Sequence, residues 1–386
     1  MAGFDLPPTE RGRFTFESDG FRYEVLRSLL EHVDYDTLWL ARCRPLKEKA
    51  PRRLVVLKQV EVPEGREGRT RVIEEVQLAE HLHHPRIGRV LRLAEYQDAP
   101  FVAMEHTTGA FLATVIGSAL LLARKLSPAF ATFIAAEVAN ALDYAHHCED
   151  ERGRPLHIIH RAVGPMAIRL GRNGRVKLTN FGAAFSELLG RVPTPPKVLR
   201  GNFAYAAPEI IRSISEKGRA GLLSPRGIDS RADIFSLGLV LLEIIAGNHP
   251  LDPLDTLPPE VSKRALRLVS GVKAEQSAWA SIEVLADRLL RFGPEDVERI
   301  AHKAPAPLKQ IAHRALRSDP AERYQSAAEM RDDLRTYLRS LRQPFGATEA
   351  AAELADILKK ASALKRKAAH PVEIGVLPWP KALSVQ

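Results

Sequence analysis

Cysteine is scarce in this chain. Two residues, Cys43 and Cys148, stand among 386. That excludes a disulfide framework and a cysteine-based zinc site, and it fits a reducing, cytoplasmic setting. Long apolar runs are missing too. The longest, "AFLATVIGSALLLA" (110–123) and "SLGLVLLEIIAG" (236–247), are too short to span a bilayer and read as buried helices. No apolar core of a signal peptide follows Met1. Acidic charge is in deficit: 47 Asp and Glu face 56 Lys and Arg, a net +9 that favours acidic partners in general. The basic residues are dispersed, however. The one denser stretch, "LKKASALKRKAA", reads as a solvated helix face rather than a nucleic-acid site. Thirteen histidines invite a metal site, but the dense spots "HLHHP" (81–85) and "YAHHCED" (144–150) give no ligand set with convincing spacing. Between residues 29 and 41 there is no glycine.

What is present is a chain that changes character once. Residues 1–20 are polar, contain a Pro pair and read as an N-terminal arm. From Phe21 to about Met104 the runs "FRYEVLRSLL", "DTLWLARCR", "RLVVLKQVEV", "IGRVLRLAEY" and "APFVAMEH" are strand-like. One helical stretch interrupts them, with Val72, Val76 and Leu82 in line. After Thr108 the chain is mainly helical. "SPAFATFIAAEVANALDYAHHC" opens on a Ser127 N-cap with proline just inside. Two short strands, "AIRL" and "VKLT", are joined by the turn "GRNG", and a long loop covers roughly 183–206. Further helices are expected over 208–213, 230–247, 279–292, 306–317 and 326–342. The result is an α+β fold, a strand-rich lobe followed by a helical lobe with a cleft between them. Residues 343–386 form a tail, with a helix-prone part at 348–369 and the Pro-flanked "HPVEIGVLPWPKALSVQ".

Several strings, in order, carry a resemblance. They are "VVLK" ending in Lys58, "IEEVQLAEHLHHPRI", "HRA", "NFG", "AAPE", "SRADIFSLGLVLLEIIAGNHP" and "DPAERYQSAAEM". Together they resemble the bacterial eukaryotic-like Ser/Thr protein kinase family over residues 21–342, with an N-lobe at about 21–105 and a C-lobe at about 106–342. The resemblance implies structural roles for His160, Arg161, Phe181 and Gly182, for Asp233 as a holder of the catalytic loop, and for a buried Glu209–Arg323 pair. It also implies a Lys58–Glu75 pair, with Met104 and Glu105 at the edge of the nucleotide site.

Position by position, the same resemblance exposes losses. Ala162 stands where the family has its catalytic aspartate, and a methyl group can neither orient a hydroxyl nor take its proton. Gly164 replaces the phosphate-steadying lysine. Ala167 replaces one metal ligand. Asn180 replaces the chelating aspartate and brings no negative charge, although Mg²⁺ normally takes one or two carboxylates. Asn202 stands where a threonine would bond to the catalytic aspartate and the lysine, the positions of Ala162 and Gly164. The glycine-rich loop falls on the glycine-free stretch, where His32, Val33, Asp34, Tyr35 and Asp36 obstruct a phosphate cradle. Val56 and Arg169 stand at positions that pack on adenine.

The resemblance therefore implies a degenerate, pseudokinase member: a scaffold or regulatory component with protein partners, such as an active kinase or its substrate. ATP binding would be weak or absent and Mg²⁺ not expected, and neither nucleic-acid binding nor a membrane span is implied. The alternatives are an active Ser/Thr kinase with an atypical site and a metal-independent nucleotide switch. Ser186 and Thr194 are candidate phosphosites, near Arg161, Arg191, Lys197 and Arg200; packing against the segment is the plainer role for Arg161.

Overall fold

The computed structural model describes residues 14–30, 38–47, 51–59, 73–74, 76–97, 99–187, 202–215, 228–251 and 282–367. They divide into two compact units, residues up to 83 with 88–107 in the first, and 84–87 with those from 108 onward (188–192 excepted) in the second.

The first unit is a six-stranded antiparallel sheet: β1 (Thr15–Ser18), β2 (Phe21–Leu30), β3 (Leu38–Pro45), β4 (Arg53–Gln59), β5 (Val90–Tyr96) and β6 (Ala99–Glu105). Their spatial order is β1-β2-β3-β4-β6-β5. Alternation sets the inward face, so Trp39, Ala41 and Cys43 of β3 are all buried. Phe16 of β1 stacks on Tyr23 with ring centroids 5.0 Å apart, and its ring also lies 5.0 Å from Tyr96 of β5. The two ends of the strand order therefore share one aromatic cluster, and the sheet is curled. Residues 73–79, apart from 75, form a helix, α1.

The expected polar arm over residues 1–20 thus yields a strand at its end. Ser18 pairs with Phe21 across Asp19 and Gly20, both at positive φ. That is the backbone of a two-residue hairpin, which Asp-Gly adopts at little cost. Charge and prolines earlier in the segment masked this signal.

The second unit holds a small sheet and the remaining helices. Strands β7 (Gly109–Phe111), β8 (Ile168–Gly171) and β9 (Val176–Leu178) are antiparallel, in that order. The helices are α2 (Leu112–Leu121), α3 (Pro128–His146), α4 (Pro208–Ser215), α5 (Arg231–Ala246), α6 (Ile282–Arg291), α7 (Pro294–Ile300), α8 (Ala306–Ala315), α9 (Ala327–Ser340) and α10 (Ala347–Lys367). Helix α5 is buried over most of its circumference, which makes it the centre of the unit. Alanine-rich α3 packs between α5 and α9. Residues 84–87 join this unit firmly. Leu178 N–H donates to the Arg86 carbonyl, Lys177 Nζ to the Ile87 carbonyl, and Arg86 pairs with Glu137 of α3. Among the described residues no helix is long and apolar enough to cross a membrane.

The tail helix α10 docks on the same unit, against α2 and α3. Its N-terminus abuts the β8–β9 turn at Gly174, which has φ +75° and lacks a Cβ that would collide with the Ala347 carbonyl. Gly174→Ala is expected to lower the melting temperature and to raise proteolytic cleavage within 347–367, since both the backbone and the close approach are lost. An unchanged cleavage pattern would mean that the close approach does not position α10.

Candidate functional site

The centre of the second unit is Asp233, fully buried near the start of α5. Its carboxylate accepts the backbone N–H groups of His160 at 2.7 Å and Arg161 at 2.8 Å. His146, at the end of α3, places Nε2 2.9 Å from the same carboxylate. Burial opposes ionisation of Asp233, but these bonds outweigh it and hold the carboxyl below the usual aspartate range. Arg161 takes φ +60°, a costly conformation for a residue with a Cβ, which the bond to Asp233 helps to hold.

His160 is itself buried. Its Nδ1 accepts the Ala162 N–H, so Nε2 carries the proton and donates to the Thr179 carbonyl at 2.9 Å. Burial lowers its pKa, consistent with a neutral ring. Phe181 meets His160 edge-on, centroids 4.5 Å apart, and begins with Gly182 a short 3₁₀ turn. Asn180 precedes it at φ +70°, in the left-handed region that asparagine tolerates, with its side chain exposed.

Around this frame the substituted positions are packed. Ala162 and Ala167 are buried, and Ala167 closes a 3₁₀ turn from Pro165. A Cβ on Gly164 would lie 3.1 Å from the Tyr205 ring and 3.2 Å from Asn202 Nδ2. Asn202 in turn donates its N–H to the Arg161 carbonyl, and its Oδ1 accepts the Ala204 N–H. The glycine and the asparagine thus form one packed arrangement. Arg169 lies opposite Phe111 across β8 and β7, with its guanidinium 4.3 Å from that ring. Burial there lowers its pKa to about 10.

The anchor of the following segment is Arg323, also buried. It grips Glu209 of α4 through two bonds of 2.8 and 2.7 Å. Its remaining N–H groups donate to the carbonyls of Arg317, Arg231 and Ser318. All five guanidinium donors are satisfied.

In the first unit, Lys58 is buried on β4, and Glu74 of α1 is buried as well. Glu75 lies outside the described residues, as do 31–37, Arg191, Thr194, Lys197 and Arg200. Met104 lies opposite Val56 in the sheet, and Glu105 accepts the Arg89 N–H at 2.9 Å. Ser186 is buried, at 3% exposure, rather than presented for modification. Arg161 sets its guanidinium 5.8 Å from the Phe185 ring.

Two groups escaped the sequence reading. His146 was one of several histidines set aside, and nothing in "YAHHC" said which of them faces Asp233. The other group lies beneath Tyr205. The Tyr205 hydroxyl donates to Glu243, and His249 meets the Tyr205 ring with centroids 4.7 Å apart. A lone carboxylate inside the apolar run "SLGLVLLEIIAG" was the available signal.

Burial pushes the Glu243 carboxyl from 4.5 up to about 8, partly offset by the Tyr205 bond, and pushes the His249 imidazole from 6.5 down to about 3. A carboxyl raised on folding stabilises fully below its unfolded value, and that contribution fades as pH rises through the folded one. An imidazole lowered on folding stabilises fully above its unfolded value, and fades as pH falls through the folded one. The two slopes oppose each other between 4.5 and 6.5, and only that of Glu243 remains from 6.5 to about 8. Glu243→Gln is therefore expected to lessen the fall in melting temperature between pH 6.5 and 8; parallel wild-type and variant profiles would contradict a neutral Glu243. Arg323→Ala should cost about 3–5 kcal/mol in urea unfolding, because it strands Glu209. Arg323→Lys should recover little of this, since an ammonium cannot span the same partners; full recovery would show that charge alone suffices.

The family description "Protein kinase domain" matches residues 40–333. Similar curated proteins include "Tyrosine-protein kinase MasK" of Myxococcus xanthus, 28% identical over 266 residues, covering 69% of this chain and 35% of that protein. "Serine/threonine-protein kinase PknJ" of Mycobacterium tuberculosis is 30% identical over 259 residues, covering 62% of this chain and 38% of that protein. "Serine/threonine-protein kinase PrkC" of Bacillus subtilis is 26% identical over 262 residues, covering 68% and 33%. The chain spans about a third of the length of these relatives, from 33% to 38%. With the curled sheet, the Asp233 hub and the Glu209–Arg323 pair in place, it belongs to the protein kinase family, in the eukaryotic-like branch found in bacteria.

Proposed function

We propose that the chain is a pseudokinase: a kinase fold that acts by binding protein partners rather than by transferring phosphate. The observation that carries this reading is the packed set Ala162, Gly164, Ala167 and Asn202. Phosphoryl transfer rests on positioning and on charge supplied by metal ions, a lysine and an oriented nucleophile. Two of the positions concerned are methyl groups. A lysine at Gly164 would set its Cβ 3.1 Å from the Tyr205 ring and 3.2 Å from the Asn202 amide, a tight fit that both neighbours would have to ease. Asn180 offers an amide oxygen without charge. This donor set does not fit Mg²⁺ bound to a nucleotide, so no step is assigned to one. Arg169, with its guanidinium over Phe111, does not offer the apolar floor that a purine would need. The folding residues, by contrast, keep their bonds. A preserved fold without its chemistry suits a scaffold or regulatory role alongside an active kinase or its substrate.

The relatives are named as kinases, which makes transfer the reading to test against. Incubation of the full chain with labelled ATP and either Mg²⁺ or Mn²⁺ is expected to give no incorporation above that of Lys58→Ala. Incorporation that Lys58→Ala abolishes would overturn the proposal.

A further inference from the structure

The tail helix α10 is fastened to the second unit in two ways. Ala350, Leu354, Ile357 and Ala361 recur every three or four residues, lie on one face and are buried. Two carboxylates add polar anchors. Glu353 accepts the Ser127 N–H at 2.8 Å and the Ser127 hydroxyl at 2.6 Å. Asp356 pairs with Arg124. The Ser127 oxygen also accepts the Phe130 N–H at 3.1 Å. Its single proton is thus committed to the tail.

We propose that Ser127 is a phosphorylation site and that its modification releases α10. A Ser/Thr kinase acting in trans would transfer the γ-phosphoryl group of ATP to Ser127 Oγ. The new O–P ester bond forms as the bond to the β–γ bridging oxygen breaks. The hydroxyl proton passes to the base of that kinase, and ADP leaves. The ester oxygen then has no hydrogen for Glu353. In its place stands a group of charge about −1.5 to −2, set against a carboxylate. Arg124, which now holds Asp356, acquires a competing anion three residues away. Both polar anchors are weakened by one event.

The setting suits such a reaction. Residues 124–127 are non-helical, Ser127 is extended at φ −69° and ψ 145°, and Arg124 and Lys125 are exposed. Ser127 itself is half-buried. Modification therefore competes with docking for the same oxygen, and catches α10 when it lifts. The freed stripe would be open to a protein partner. Only that last consequence rests on the scaffold reading.

The test installs phosphoserine at position 127 of the full chain and follows hydrogen exchange over 350–361. Protection is expected to fall roughly tenfold or more, further than in Ser127→Ala, and Glu353→Gln should restore part of it. Equal protection in modified and unmodified chains overturns the release. A Ser127→Ala chain that loses as much as the phosphoserine chain overturns the charge mechanism and leaves a lost hydrogen bond. In a second arm, the full chain is incubated with labelled ATP, Mg²⁺ and an active bacterial Ser/Thr kinase domain. Label at Ser127, incorporated faster in Glu353→Ala, is expected; label only at other residues overturns the site. Omitting the added kinase keeps the two proposals apart: self-labelling would sink the pseudokinase reading and leave the release measured by exchange untouched.

Discussion

One carboxylate organises the helical unit. Asp233 is buried, yet it remains charged because two backbone N–H groups and the His146 ring converge on it. Removing that charge would leave three polar groups without their acceptor inside the protein, each costing roughly 1–3 kcal/mol. The bonds also fix the left-handed turn at Arg161, and through it the position of Ala162. The loop is therefore shaped as a catalytic loop, with the small, buried Ala162 following Arg161.

The same separation appears elsewhere. Arg323 satisfies every donor and holds Glu209, so α4 is anchored to the rest of its unit. His160 and Phe181 keep their edge-on contact, and Asn180 keeps its left-handed backbone. These are properties of folding. Beside these residues, Ala162 and Ala167 are buried, and Gly164 lies close to Tyr205 and Asn202. Gly164 and Asn202 show that the exchange is structural as well as chemical, because the space for a lysine is bordered by Tyr205 and by the asparagine amide.

Much of this was legible in the sequence, for a physical reason. Asp233, Glu209 and Arg323 sit in the strings that carry the resemblance to the kinase family, and it was that resemblance that implied their roles; physically, a buried charge needs a fixed partner. Those strings, in order, located the fold. Other features depend on which face a side chain presents. His146 and His147 are adjacent, and only the helix rotation decides that the first reaches Asp233 while the second turns back to the Asp143 carbonyl. The stripe of α10 could be read from its spacing, but not the surface that receives it, which α2 and α3 assemble far away in sequence. Asp19-Gly20 did carry a hairpin signal, outweighed by the polar residues around it.

We propose that this fold stands without a nucleotide and does not use one for phosphoryl transfer. A thermal-shift titration of the full chain with ATP, with and without Mg²⁺, tests it most directly. The account predicts a melting temperature that stays flat across the titration under both conditions. A saturable rise would contradict it, and a rise that needs Mg²⁺ would show that the substituted positions still hold a metal–nucleotide complex.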